Sequence, residues 1–484
     1  MTRARRYGVL AICCMSLFIV ALDNTIVNVG LPSIGRDLHA GVSGLQWTID
    51  AYTLVLASLL VLSGSTADRL GRKRTFQTGL VLFSLGSLLC SLAPNLPALV
   101  AFRALQAVGG SMLNPVAMSI IANVFVEPRE RAHAIGMWAA TVGVAMGMGP
   151  VVGGLLVTSI GWRAMFWINV PIGLAACVLT LRYVPRSRAS RQRRIDPVGQ
   201  LLVIVALATI TFGIIEGPAH GWTSALILGA FAIGATSVVA LLAYEPRRRD
   251  PLLELRFFRS VPFSGAAIIA VAGLASLAGF LFVNTLYLQD ARGLSALQAG
   301  LDTLPMAGVT VIAAPLSGRV VARYGTRPVF IVAGAGLSAS ALLLTQLSGH
   351  TAFWWLFCAY VLFGVGYGVI NAPITNTAVS AMPRAQAGVA AAIVSTSRQV
   401  GQTLGVAVIG VLATAGVDQH FASRLPAASH TGWWILVGLG LVVLIVGLAS
   451  SSRWAQRSAE RMAAGLHPDD RPDATAVPAA AGAS

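Results

Sequence analysis

From Tyr7 to Ser450 the chain alternates long apolar runs with short polar islands. The clearest island is Gly64–Arg74, GSTADRLGRKR. In it Asp68, Arg69, Arg72, Lys73 and Arg74 fall together between apolar stretches at about 45–67 and 75–93. A stretch of about 20 residues, at about 1.5 Å of helix rise per residue, is long enough to cross a bilayer. The same pattern predicts fourteen spans, near 7–30, 45–67, 75–93, 96–122, 133–158, 164–183, 197–216, 222–244, 261–287, 296–318, 327–347, 351–377, 386–413 and 431–450. The runs are continuous rather than alternating, so the spans are helices and the fold class is an all-α membrane protein.

The island has an echo. Gly318–Pro328 reads GRVVARYGTRP, with glycine at the same first and eighth positions, and RAHA at Arg131 recurs as RAQA at Arg384 with nearly the same offset. Two anchors at one spacing argue for internal duplication. The offset covers eight predicted helices, where doubling a six-helix unit would cover six. The seventh and eighth helices are therefore read as an insertion. The expected plan is a six-helix bundle over 1–183, the inserted pair with basic loops over 184–260, a second six-helix bundle over 261–452, and a tail over 453–484. The tail, rich in Ala, Pro and Asp, reads as disordered beyond a short basic helix.

Composition agrees with a membrane chain. Of 484 residues, 56% are hydrophobic and 11% charged, with mean hydropathy +0.75, against about 25% charged in soluble domains. A net charge of +16 would suit a nucleic-acid binder, but its placement excludes that. Nearly all of the 34 Lys and Arg lie in the two terminal segments and in alternate loops, while the opposite loops hold only Arg36, Arg163, Arg292 and Arg424. This asymmetry puts both termini and the basic loops in the cytoplasm, with the protein in the inner membrane. The clusters Arg186–Arg194 and Glu245–Asp250 then lie near anionic lipid. The start MTRARR, followed by an apolar run, is read as the first span rather than a signal peptide. The run is long, holds Asp23 and Asn24, and has no small-residue cleavage site. The cysteines, Cys13, Cys14, Cys90, Cys177 and Cys358, all sit in apolar runs without metal or redox spacing. No cofactor or metal is expected.

An ionisable side chain inside a bilayer costs about 2.5–3.5 kcal/mol on insertion scales, so it needs a partner or a task. Asp23, in LDNTIVNVGLP, lies about 10 Å from the outer end of span 1, and Arg103, in FRALQAVGG, about 10 Å into span 4. The two share a depth, either as a fixed ion pair or as a pair that opens when a proton is taken up; Asp23, against Arg103, is the expected proton-coupling residue. Asp50, in QWTIDAYTL, sits about 7 Å below the outer surface. It is either exposed at the interface or open to the substrate path, where it would suit cationic ligands. Glu216, Asp290 and Asp302 fall near outer span ends and read as interfacial. Arg398, in STSRQVGQTLG, is near mid-depth in span 13; its candidate partners are Gln399, Gln402, backbone carbonyls or an anionic part of a substrate.

Two stretches read as mechanical. GVAMGMGPVVGG carries Gly143, Gly147, Gly149, Pro150, Gly153 and Gly154. Glycines four apart permit close helix approach, and Pro150 is expected to bend span 5 between two packed faces. In the island, Asp68 is expected either to cap span 3, to set topology, or with Arg69 and Arg72 to form a cytoplasmic gate that breaks during transport.

Together these stretches resemble the major facilitator superfamily, within it the fourteen-span drug:proton antiporters. The carrying residues are LDNTIVNVGLP, GSTADRLGRKR, FRALQAVGG, GMGPVVGG with GWRAMFWINVPIG (Gly161–Gly173), and IDPVG (Ile195–Gly199), spread over most of residues 1–450. In that superfamily GMGPVVGG is associated with exporters, and WTIDAYTL is similar to quaternary-ammonium and actinomycete antibiotic exporters. The resemblance implies proton-coupled efflux of amphipathic small molecules, cations among them, by a monomer that alternates access around a midplane cavity. Some multidrug members carry acids in span 13 and just after the LPM of span 10; here those positions read Ile393, Val394, Ser395 and Thr310, which argues against broad export of dications. The alternatives are a proton-driven importer and a transport-inactive sensor or scaffold, though a scaffold would not need Asp23, Asp50 and Arg103 in apolar helices. No enzyme is read: His39, His220, His350, His420 and His430 lie in outer loops. No G-x-x-x-x-G-K-[ST] motif occurs, so an ion gradient rather than ATP is the expected driving force.

Overall fold

Every long apolar run closes into a helix, because within a bilayer only a helix satisfies its own backbone along a single segment. The computed structural model describes residues 2–188, 196–248, 251–380, 382, 386–414 and 421–464. Its first half holds α1 (Arg3–Asp37), α2 (Val42–Leu70), α3 (Arg72–Ser91), α4 (Leu96–Val124), α5 (Pro128–Ser159), α6 (Ala164–Trp167) and α7 (Asn169–Tyr183). Next come α8 (Pro197–His220) and α9 (Ala225–Tyr244). The second half holds α10 (Val261–Leu286), α11 (Ala296–Asp302), α12 (Leu304–Tyr324), α13 (Arg327–Leu344), α14 (Phe353–Ser380), α15 (Ala387–Leu404), α16 (Gly410–Ala413) and α17 (Phe421–Ser450), and α18 (Arg453–Ala464) follows. Single π-helical turns, Tyr287–Ala291 and Gly405–Ile409, extend α10 and α15.

Twelve helical segments among the described residues are long and apolar enough to cross a membrane. The count of fourteen is thus not reached on that measure. The two remaining spans, expected near 75–93 and 386–413, are helical but more polar. α3 opens on Arg72, Lys73 and Arg74, and α15 carries Arg398, Gln399 and Gln402.

Polar residues set the helix starts. Asn95 Oδ1 accepts from the Ala98 amide at 3.0 Å at the head of α4, and Asp196 Oδ1 from the Gly199 amide at 3.0 Å at the head of α8. Ser295 and Gln298 form a capping box on α11. The charged island departs from its reading as a loop. α2 continues to Leu70, Gly71 turns the chain at φ 104°, and α3 starts at once on Arg72. Only glycine takes that φ without strain. Asp68 therefore does not cap α3; it sits in the last turn of α2 and pairs with Arg72 at 3.7 Å.

Without a hydrophobic drive between helices in lipid, close packing of small residues holds the bundle together. In the first half a Cβ on Gly109 would meet the Gly79 carbonyl at 2.7 Å, where α4 crosses α3. In the second half a Cβ on Gly336 would meet the Gly366 Cα at 3.0 Å, where α13 crosses α14. The inserted pair lies to one side. Glu216 of α8 accepts from Ser43 Oγ and Trp47 Nε1, both at 2.8 Å, and Gln200 Nε2 donates to the Ser58 carbonyl at 2.5 Å. Glu216 thus clamps α8 to α2 rather than facing the interface alone.

The halves meet mainly at the end that holds Arg36 and Asp290, which lie 3.7 Å apart. Nearby, Gln289 Nε2 donates to the Val29 carbonyl at 2.7 Å. Gln46 Nε2 donates to the Val406 and Ala407 carbonyls at 2.9 and 3.0 Å, in the π-helical turn whose altered register leaves such acceptors open. The stretch GMGPVVGG is a spacer with two faces. Cβ atoms on Gly149 and Gly153 would strike Thr25 Oγ1 and Ile26 Cγ1 of α1, at 2.0 and 2.7 Å. On the other face, a Cβ on Gly154 would strike the Ala296 carbonyl at 2.6 Å, and one on Gly300 the Pro150 carbonyl at 2.3 Å. Gly147 makes only ordinary contact, 3.9 Å from Ala307 Cβ.

At the opposite end the described contacts of the island go to the first half and the loop that follows it: Arg72 Nη1 donates to the Ser119 carbonyl at 3.3 Å, Lys73 Nζ to that of Leu181 at 2.8 Å, and the Arg72 amide to that of Ser187 at 3.0 Å. α18 lies against the foot of α10, with the Val261 amide on Ser458 Oγ at 2.9 Å. Arg384 of the repeat, Arg191, Arg193 and Arg194 of the basic cluster, His420, and the tail past Ala464 lie outside the described residues.

The glycine contact generates a prediction. Gly300→Val should disfavour this closed end by about 1–3 kcal/mol, the usual cost of overpacking. In a cysteine-free background, cross-linking of Arg36→Cys to Asp290→Cys by a short bifunctional thiol reagent should fall. Undiminished cross-linking would show that α5 and α11 can part without opening this end.

Candidate functional site

The one fully buried arginine among the described residues enters on α4. Arg103 and Gln106, three residues apart, share one helix face and enter the first half together. Arg103 is 1% exposed and Asp23 not exposed at all. Arg103 Nη1 donates to Asp23 Oδ2 at 2.5 Å and to Gln106 Oε1 at 2.7 Å, and Nε donates to the Thr48 carbonyl at 3.0 Å. The other carboxylate oxygen, Asp23 Oδ1, accepts from Gln106 Nε2 at 2.9 Å and from Asn169 Nδ2 at 3.0 Å. Ser87 Oγ accepts from both of those amides at 3.1 Å and donates to the Phe166 carbonyl at 2.9 Å. The guanidinium lies 4.3 Å from the centre of the Tyr52 ring, a cation–π contact. The pairing of Asp23 with Arg103 at one depth is present, and both carboxylate oxygens are engaged.

Asp50 is different. It is fully buried in α2, which removes the reading of interfacial exposure. Its Oδ1 accepts from Thr53 Oγ1 at 3.2 Å, while Oδ2 has no hydrogen-bond partner among the described residues. Thr53 Oγ1 in turn accepts from Thr403 Oγ1 of α15 at 3.0 Å. A chain of two hydroxyls therefore links this carboxylate to the other half of the molecule.

Between the halves lies a cavity of about 130 Å³. Its polar lining is Asn24, Thr25 and Asn28 of α1, Tyr367 of α14 and Gln402 of α15, set among residues such as Met146, Leu274 and Leu277. Gln402 Nε2 reaches Asn24 Oδ1 across the cavity at 3.4 Å, and Asn28 Oδ1 has no partner among the described residues. Ile49 lines the space but its neighbour Asp50 does not, nor do Asp23, Arg103 or any residue of α8 and α9. Arg398 lies one turn before Gln402 on the same face of α15 and donates from Nη2 to Thr375 Oγ1 at 2.9 Å. The expected links of Arg398 to Gln399 and Gln402 are not among its described hydrogen bonds.

Sequence reasoning placed the charges but passed over the neutral amides. Asn24 and Asn28, four apart in an apolar span, carry a helical-face signal that could have marked the lining. Asn169, within the quoted WINV stretch, and Gln106, one turn beyond Arg103, were equally visible. Nothing local pointed to Thr403 or Gln46, whose partners lie in the other half. Chemically, the cavity offers amide groups that both donate and accept, within an apolar wall. This suits an amphipathic small molecule.

Comparison with known proteins places this geometry. The sequence model described as Major Facilitator Superfamily matches residues 13–406. Multidrug resistance protein Stp of Mycobacterium tuberculosis is 36% identical over 85% of this chain and 77% of its own length. The tetracenomycin C resistance and export protein of Streptomyces glaucescens is 35% identical over 88% and 79%, and the methylenomycin A resistance protein of Streptomyces coelicolor 34% over 90% and 89%. Among solved structures, a D-xylose–proton symporter superposes with TM-score 0.66 at 14% identity, over 91% of this chain and 97% of the other. A bacterial homologue of the human drug peptide transporters PepT1 and PepT2 superposes with TM-score 0.68 at 13% identity, over 95% and 99%. These two show a shared fold.

The buried pair generates a stability prediction. Removing one partner leaves an uncompensated charge, at a cost of about 3–5 kcal/mol. Arg103→Ala should therefore lower the thermal stability of detergent-purified protein sharply. The double change Asp23→Asn with Arg103→Gln, which leaves no lone charge, should recover most of the loss. A double variant as unstable as Arg103→Ala would mean that packing around Tyr52, not charge, is what the site needs.

Proposed function

This chain belongs to the Major Facilitator Superfamily, and on that premise we propose that it exports drugs or antibiotics across the bacterial cell membrane, driven by protons. In this reading all fourteen helices cross, α3 and α15 included, both termini are cytoplasmic, and a single chain is the working unit. The basic loops support that orientation. The end with Arg36 and Asp290 is then the outer one, and the contacts concentrated there describe a carrier closed outward and parted inward. The names of the relatives, as resistance and export proteins, support the direction of transport.

The observation that carries proton coupling is the contrast between the two buried carboxylates. Asp23 is held by three donors and Asp50 by one, with one oxygen bare. We assign the exchangeable proton to Asp50, in place of Asp23, which the sequence marked as the coupling residue. Asp23 and Arg103 form the frame against which α2 is set, since Arg103 also grips the Thr48 carbonyl. An ionised Asp50 draws the Thr53 hydroxyl toward itself and leaves its oxygen to receive Thr403, a charge-assisted arrangement stronger than its neutral counterpart. Proton occupancy is thereby linked to contact between the halves, and linkage runs both ways. Asp68, Arg69 and Arg72 act at the inner end and the Gly149–Gly154 stretch at the outer one, as the faces that part and meet.

The test uses everted vesicles and an exported fluorescent drug. An imposed acid interior should drive uphill accumulation, and an uncoupler should abolish it. Asp50→Asn should abolish accumulation while preserving downhill counterflow, whereas Asp23→Asn should impair both. Accumulation that survives loss of the proton gradient would sink the reading.

A further inference from the structure

The charges around the central cavity are unevenly matched. No carboxylate is among its lining residues: Asp50 turns away through Thr53, and Asp23 is enclosed by Arg103, Gln106 and Asn169. Arg398, by contrast, is a cation with no anion paired to it among the described residues. Its one described hydrogen bond goes to a neutral hydroxyl, Thr375 Oγ1, and its Nε is buried with no acceptor. It makes no ion pair among the described residues, whereas Arg103, the other arginine deep in a span, is paired.

Its position connects it to the cavity. Gln402, which lines the cavity, is one turn along the same face, a rise of about 6 Å. Tyr367, another lining residue, stands about two turns before Thr375 on α14, the helix that supplies Arg398 with its hydroxyl partner. In the orientation proposed above Arg398 stands on the inner side of the cavity, where a molecule entering from the cytoplasm passes first. Arg398 is partly exposed and, beyond its bond to Thr375, retains planar donors matched to a carboxylate.

We propose that the substrates are amphiphiles carrying an acidic group, a carboxylate or phenolate, with Arg398 as their counter-ion and the apolar wall and amides taking the remainder. This rests on the exporter reading and names its substrate class; it replaces the expectation that Asp50 receives cationic drugs. A substrate that brings its own negative charge completes a pair the protein lacks. A cation would enter a cavity with no acid to receive it and with Arg398 repelling it.

The experiment uses a matched series that differs in charge alone: 1-naphthoate, 1-naphthalenemethanol and 1-naphthylmethylamine. Binding to the purified full-length protein is read by equilibrium dialysis. Wild type should bind the naphthoate at least tenfold more tightly than the alcohol, and the amine most weakly. Arg398→Gln should remove the preference for the naphthoate, and a monodisperse elution on size-exclusion chromatography in detergent serves as the check that the variant is folded. Arg398→Lys should retain part of the preference. The proposal is overturned if the amine binds as well as the naphthoate, if Arg398→Gln keeps the preference, or if the naphthoate does not bind. A separate arm measures acid-driven accumulation of naphthoate in everted vesicles. Intact binding preference without accumulation counts against proton-driven export and leaves the substrate class standing.

Discussion

Burying Arg103 is the constraint around which the first half is built. A guanidinium inside a membrane must have its donors satisfied, and here that takes groups from several helices: Asp23 from α1, the Thr48 carbonyl and Tyr52 from α2, and Gln106 from its own turn. Asn169 and Ser87 then occupy the remaining carboxylate oxygen and its amide neighbours. Because each group closes a valence of another, the helices can shift only together. The result is one rigid block rather than several helices in loose contact. That rigidity is what allows a small change elsewhere to act on the half as a unit.

The contacts between the halves are of another kind. Besides shared apolar packing and the Arg36–Asp290 ion pair, their hydrogen bonds are directed at backbone carbonyls or made between hydroxyls or amides: Gln46 to the π-helical turn, Gln289 to Val29, Thr403 to Thr53, Gln402 to Asn24. Such bonds contribute about 0.5–1.5 kcal/mol each, so each can break and re-form at modest cost. The glycines on α5 and α11 bring the backbones close enough for those bonds to form without adding much side-chain area that would have to be parted. A firm block and a weak joint in one chain are what alternation requires.

How much of this was legible in the sequence depends on dimension. Depth along the membrane normal is nearly a one-dimensional quantity, counted in residues from a span end, and it brought Asp23 and Arg103 together correctly. Direction around the helix axis is not, because it is fixed by which neighbours pack on each side. For that reason Asp50 was read as a group facing the substrate path, while the structure turns it to Thr53 and seats its neighbour Ile49 at the cavity. Helix ends suffered from a similar ambiguity. The charged island looked like a loop because charge usually marks one, yet the helices continue through it and leave only Gly71 to make the turn. Neutral amides gave the weakest signal of all: Asn28 and Gln402 are ordinary residues until the opposite half supplies the other wall.

The cavity and the Asp23–Arg103 network share no residue. For a protein under selection this separation matters more than either site alone. A lineage that meets a new toxin can vary Asn28, Met146, Tyr367 or Leu277 one at a time, altering the mould while the engine stays intact. Adaptation of this kind is gradual, since no intermediate has to pass through a broken charge network, and it leaves many sequences able to serve as starting points.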